Sequence, residues 1–274
     1  MKNIFLLLVI TMQLSCKSYS QNSVKLTIGF KPSQTYHQNM NNVMKSVVTY
    51  RGSEEVLSDL EKKGLVNPTV SENSMEMQAV MKTGEMKSDG SFPFYMEILK
   101  ASSSTGQKEI PDGLKIYGSA TKNNKVPKLD SVASDQLSAA YKQQLLQVMQ
   151  NLFSQISFPE KEYKVGDTSV TKTPVAIPIG NVHVSMTVTT TYSLVEIKNG
   201  IATFDISTAY SNVGISDNVL GGTGSGKGKM IYDVEKEYYK QYDLSTRMNM
   251  QVAMDQVTLD VVSNSDMKMS IDIK

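Results

Sequence analysis

"VHVSMTVTTTYSLV", residues 182–195, puts Val182, Val184, Met186, Val188, Tyr192 and Leu194 on one parity and Ser185, Thr187, Thr189 and Thr191 on the other. Period two is the signature of a strand with one buried and one solvated face, as in antiparallel sheets. The same alternation recurs outward from this stretch. "VKLTIGF" aligns Val24, Leu26, Ile28 and Phe30, "MNMQVAM" aligns Met248, Met250, Val252 and Met254, and "MKMSIDI" aligns Met267, Met269, Ile271 and Ile273. Turn-forming pairs separate the runs. Asn199-Gly200 is the strongest hairpin signal, and Asp89-Gly90 and Asp112-Gly113 repeat it more weakly.

One long segment departs from period two. In "SDQLSAAYKQQLLQVMQNLFSQI", Leu137, Tyr141, Leu145, Val148, Met149, Leu152 and Ile156 form a stripe at helical spacing, with Ser134 as N-cap and Pro159 as stop. A shorter helical turn is expected over residues 53–63. The predicted fold is therefore α+β: one large, highly curved antiparallel sheet of about ten strands, a meander closing into a half-barrel. The helix, about 134–156, is expected to pack on its concave face.

The first residues read "MKNIFLLLVITMQLSCKSYSQ". Lys2 precedes a short apolar core, too short to span a bilayer, and small residues come next, which is the layout of a signal peptide over residues 1–20. Two cuts are open. Ser18-Tyr19-Ser20 suits cleavage before Gln21, and Leu14-Ser15-Cys16 resembles a lipobox in which Cys16 is lipidated. Residues 21–274 then read as a single exported domain, soluble in the periplasm or lipid-anchored at the outer membrane, touching membrane only through the anchor.

Composition narrows the chemistry. Cys16 is the only cysteine, so either cut removes disulfides and cysteine nucleophiles from consideration. Net charge is +1, and the only arginines are Arg51 and Arg247, which leaves nucleic acid without an electrostatic footing. "LGGTGSGKGKM", residues 220–230, carries Gly221, Gly226 and Lys227 on the G-x-x-x-x-G-K skeleton of a phosphate loop. Gly228, however, stands where the magnesium-binding Ser or Thr belongs, and the residues after it alternate like a strand instead of opening a helix. We read it as a loop leading into a strand, with no nucleotide bound.

His37 and His183 lie far apart on polar faces, and the acidic run "YDVEKEYYKQYD", residues 232–243, lacks the glycine turn of a calcium loop. No serine sits in G-x-S-x-G. The expectation is a protein that is not an enzyme and has no catalytic residue, no metal and no cofactor.

Methionine is the unusual signal: 17 residues, many on the inferred inner faces of strands, including Met75 and Met77. Thioether side chains fill irregular gaps and suit surfaces that accept varied apolar partners. Parity places Met248, Met250, Met254, Met267 and Met269 on one face of two strands reversed at Asp255-Gln256, looking toward Leu145, Met149 or Leu152.

"FPEKEYKVGDTSV", residues 158–170, extends the reading to a family. Phe158-Pro159 and Val165-Gly166-Asp167 echo an "lP-x-K-x-V-x-V-G-D-x-W" segment, with Ser169 where a tryptophan is common. With the signal peptide, the alternating first strand, the central helix and the glycine-rich entry to a C-terminal meander, the chain resembles a family of exported bacterial proteins known as a domain of unknown function. It is similar, more loosely, to lipoprotein carriers of the LolA and LppX type. That likeness implies a curved sheet over helices with an apolar hollow between. Two functions fit these features. One is a carrier or sensor holding a lipid or other apolar small molecule in that hollow. The other is a structural or protein-interaction module of the envelope.

Overall fold

The computed structural model describes residues 23–106, 110–121, 124–155, 160–179, 182–212, 219–254 and 256–274. In chain order the elements are β1 (Ser23–Lys25), β2 (Thr35–Arg51), α1 (Glu54–Lys62), β3 (Thr69–Thr83), β4 (Ser91–Ser103), β5 (Leu114–Thr121) and β6 (Asn124–Ala133). Next come α2 (Ala139–Gln155), β7 (Glu162–Lys164), β8 (Thr168–Ile179), β9 (Val182–Lys198), β10 (Ile201–Asn212), β11 (Val219–Asp233), β12 (Tyr238–Met254) and β13 (Val257–Ile273).

Eleven of the strands form one antiparallel sheet in the order β6-β5-β4-β3-β2-β13-β12-β11-β10-β9-β8. It is two meanders, not one: β2 to β6 and β8 to β13, joined where the first strand pairs with the last. The sheet is curved but not closed. Curvature is visible in the aromatic packing. Strands β4 and β12 stand four intervals apart, about 19 Å on a flat sheet. Yet Phe94 of β4 and Tyr238 of β12 both touch the Phe30 ring, with centroids 4.9 and 5.9 Å away.

Glycine makes the bend possible. The stretch 220–230 is not a loop before a strand; it is the body of β11. Gly222, Gly224, Gly226 and Gly228 share a parity, and they pair with Met250, Met248, Thr246 and Leu244 of β12. Strand glycines mark tight bends and close approaches. Here the missing side chains let Tyr210 and Met248 lean over the strand from either side: a Cβ on Gly224 would stand 3.1 and 2.9 Å from them. The phosphate-loop likeness therefore comes from a crease in the sheet.

The hairpin signal at Asn199-Gly200 has a direct backbone cause. Both residues hold positive φ, 51° and 73°, the combination a two-residue turn between twisted strands requires. In the turn after β7, Gly166 holds φ 94°, and the Asp167 carboxylate accepts the Lys164 amide. Gly166 N–H and Asp167 C=O both bond Leu194 of β9, fastening this turn to the sheet.

The helical expectation needs correction. Among the described residues there are two short helices, α1 where the shorter turn was expected and α2 in place of the long helix over 134–156, and α2 starts five residues late. Ser134 is spent on a local turn, its Oγ accepting the Gln136 amide. Ser138 takes the capping role instead, accepting the Tyr141 amide. Tyr141 and Val148 are exposed, and the face that packs carries Leu145, Leu146, Met149 and Phe153. Nor does α2 lie centrally over the sheet. It runs beside edge strand β6, where Gln150 Oε1 accepts the Leu129 amide at 2.8 Å and its Nε2 donates to the Pro127 carbonyl at 3.1 Å. One side-chain amide thus occupies backbone groups that an edge strand otherwise leaves open. The other edge, β8, carries Lys172, Pro174 and Pro178, residues that blunt an edge against pairing.

The expected first strand over 24–30 is also only partly a strand. Past Lys25 the alternation persists without a ladder, because tyrosine hydroxyls serve the backbone: Tyr232 donates to Thr27 C=O at 2.7 Å and Tyr36 accepts the Lys31 amide at 2.8 Å. The smaller helix expected over 53–63 is α1, capped by Ser53.

Candidate functional site

Strands β2, β9, β12 and β13 each run 17 residues, about 58 Å at 3.4 Å per residue and far beyond the usual five or six. One core cannot cover such a length. The main cluster gathers at one end of the strands, around Tyr36, Met81, Phe94, Phe204, Tyr232 and Tyr238, and draws on both meanders. Phe30 is its plug, meeting Tyr36, Phe94, Tyr238 and Phe153 of α2. Burial raises the phenol pKa values of Tyr238 and Tyr239, and burial followed by the neighbouring Tyr210 pushes Tyr242 up to about 12. These tyrosines stay neutral donors. Tyr239 O–H and Gln38 Nε2–H both point to Met269 Sδ, at 3.1 and 3.3 Å.

Cross-strand register then maps the rest of this core face. Met77, Met40, Met269 and Tyr242 form one row across β3, β2, β13 and β12. The next row is Met75, Asn42, Met267 and Leu244. Beyond lie Asn73, Met44, Ser265 and Thr246, then Ser71, Ser46, Ser263 and Met248, then Thr69, Val48, Val261 and Met250. Met254 pairs with Val257 across the final turn; Asp255 itself lies outside the described residues. Met248, Met250, Met254, Met267 and Met269 share one face.

They do not share one environment. Met269 packs against the main cluster, as do Leu145 and Met149. Met248 and Met250 belong to a second, smaller cluster with Met186, Tyr210 and Val261, formed across the glycine crease. Leu145 and Met149 of α2 reach the same main cluster as Met269, while α2 itself runs beside β6. Near α2, Phe30 and Phe153 meet at 6.4 Å. The core face also carries an open apolar surface. That surface is further along the strands, where Met44, Met75 and Met254 are 37%, 39% and 39% exposed while Met250 is 7% exposed. The Leu152 side chain and residue Ile156, like Cys16, lie outside the described residues.

Met40 and Met44 cannot be placed from the sequence, because polar neighbours on both sides of β2 hide their parity. The opposite face is charged and polar: Glu76, Asn41, Lys268, Asp243, Lys229 and Asp205 succeed one another across six strands. His37 lies on that face between Val80 and Asp272. The side chain of His183 is outside the described residues. Among the described residues, no three His, Cys, Asp or Glu side chains gather as a metal site.

No family model matches the chain, and no curated protein does. Among solved structures it is similar to a multiple mutant of the Rh. blastica porin, at 10% identity, with 86% of this chain and 100% of that chain covered and a TM-score of 0.23. A score that low carries no argument about fold or function. No helix among the described residues is long and apolar enough to cross a membrane.

Proposed function

We propose that the protein is a non-catalytic carrier or sensor of the cell envelope that holds a lipid or other apolar small molecule along the methionine-lined part of its core face. One observation supports this above all. The core-facing positions stay methionine-rich after the packed core has ended, leaving Met44 and Met75 more than one-third exposed. Strands favour β-branched and aromatic residues, so methionine on neighbouring strands asks for another reason. An unbranched, polarizable side chain repacks around apolar partners of varied shape. In this reading Met44, Met75, Met248, Met254 and Met267 line the site, while Leu145, Met149 and Met269 belong to the core and Met250 steadies the crease. The loose similarity to LolA- and LppX-type carriers points the same way.

The test is uptake of cis-parinaric acid by the mature protein, monitored by its fluorescence. Saturable uptake is expected. Met44→Asp with Met75→Asp should keep the strand-rich circular dichroism and abolish uptake, since both side chains reach solvent. A wild-type protein that takes up no probe ends the carrier reading. The envelope-module alternative relied on sheet edges open to a partner. Gln150 of α2, bonded to the β6 backbone, and Pro174 of β8 weigh against it.

Export belongs to the same proposal, with Cys16 as a lipid anchor in the outer membrane. Mass spectrometry of the native N-terminus should find an acylated Cys16. A chain that begins at unmodified Gln21 removes the anchor and leaves a soluble periplasmic protein.

A further inference from the structure

Cross-strand register crowds methionine onto one part of the open face. In three successive rows over β3, β2 and β13, the core-facing positions are Met77, Met40 and Met269, then Met75, Asn42 and Met267, then Asn73, Met44 and Ser265. These nine positions hold six of the chain's 17 methionines. Met77 and Met269 pack against the main cluster, and the Met269 sulfur accepts hydrogen bonds from Tyr239 and Gln38. Met44, Met75 and Met267 are placed differently. Among the described residues they join neither apolar cluster, and Met44 and Met75 reach solvent. Asn42 stands between Met75 and Met267, and its Oδ1 is occupied by the Ser265 hydroxyl at 2.7 Å.

We propose that Met44, Met75 and Met267 bind a soft monovalent metal ion, Cu(I), through their thioether sulfurs. Met75 and Met267 flank Asn42 on neighbouring strands, two strand spacings or about 10 Å apart. Met44 is diagonal to both, about 7–8 Å away. A methionine side chain turns about three rotatable bonds, so sulfurs reaching inward from these three backbones can meet at one point. The chemistry of the donors selects the ion. Thioethers are soft ligands and favour Cu(I). They are also uncharged, so a divalent ion taken from water would find no anionic ligand to offset its desolvation, and a monovalent one loses less. Among the described residues, no His, Cys, Asp and Glu side chains gather to compete for a harder ion. The inference does not depend on the carrier reading. An apolar ligand needs only an apolar face, which leucine or isoleucine would supply as well, whereas the ion needs sulfur.

The experiment mixes the mature protein with the purple bicinchoninate complex of Cu(I) under ascorbate and follows the loss of colour. Wild type is expected to withdraw stoichiometric Cu(I). Cys16 is the only cysteine, and cleavage at either site leaves no free thiol to imitate the result. In the variant with Met44→Leu, Met75→Leu and Met267→Leu, withdrawal should be lost while uptake of cis-parinaric acid is unchanged, because leucine conserves volume and apolarity. Met44→Leu alone, at an exposed position where substitution barely alters stability, keeps the test independent of folding. It should weaken Cu(I) binding at least about tenfold, the smallest loss usual even for partners that only support a ligand. Met254→Leu, exposed on the same face at the strand tip, should change nothing. A wild-type protein that leaves the complex intact overturns the inference, whether or not it takes up the fatty acid. Undiminished withdrawal by the triple variant, or an equal loss in Met254→Leu, overturns the assignment to these three residues. Cu(I) binding by a protein that takes up no cis-parinaric acid upholds the metal site and ends the carrier reading alone.

Discussion

Gly228→Ala should destabilise the protein by about 3 kcal/mol, the upper part of the range for overpacking, although it adds a single methyl group. A Cβ at Gly228 is driven into the Asp243 carbonyl oxygen, far inside van der Waals contact, and stands 3.0 Å from Leu244 Cα. Both obstacles are backbone atoms of the paired strand, so no rotamer change relieves the clash and the β11–β12 ladder itself has to shift. Gly221→Ala is the control. Nothing lies within 4 Å of its Cβ, and its φ is not in the left-handed region. Alanine there restricts the unfolded chain and should be neutral or stabilise by about 0.5 kcal/mol. Urea unfolding of the two variants measures the contrast. Similar midpoints for both would mean that the glycines of β11 do not shape the crease, and the curvature would need another cause.

The same strand marks where the sequence was legible and where it was not. Alternation revealed the sheet, since each strand buries one face; parity alone brought Met248 and Met269 onto a common side. Asn199-Gly200 was readable because its backbone angles demand those residue types. The glycines of β11 were not, because a residue without a side chain contributes nothing to an apolar alternation and imitates a loop. The N-terminus of α2 was misplaced because Ser134 and Ser138 are equally good caps in the sequence, and only the local turn at Ser134 separates them. The packing stripe of α2 shifted for a related reason. Helix and edge strand meet through Gln150, a polar residue that a hydrophobic stripe cannot include. Ser46 and Thr246 on the core face were invisible for the converse reason: serine and threonine at inward positions look like outward ones until register is known.

Phe30→Ala is expected to cost about 3 kcal/mol, the lower end of the range for deleting an aromatic side chain, because Phe30 is only partly buried. Against a usual total of about 5–15 kcal/mol this is a large share. The ring holds together parts of the sheet that the ladder does not: Phe94 on β4, Tyr36 on β2, Tyr238 on β12 and Phe153 on α2, at centroid distances of 4.9, 5.1, 5.9 and 6.4 Å. Its removal leaves α2 with the Phe94–Phe153 contact at 6.0 Å as its remaining aromatic tie to this cluster among the described residues. Because the ring is only partly buried, the space left behind is an aromatic-walled notch open to solvent. The variant also separates the two ends of the sheet. Uptake of cis-parinaric acid, if it depends on the open methionine face, should survive as long as the variant is folded, because Met44 and Met75 lie rows away from the lost ring. If Phe30→Ala instead abolishes uptake in a folded protein, the ligand sits under the helix after all. A variant within about 1 kcal/mol of wild type, well below the usual cost of such a deletion, would show that the sheet curls without its plug.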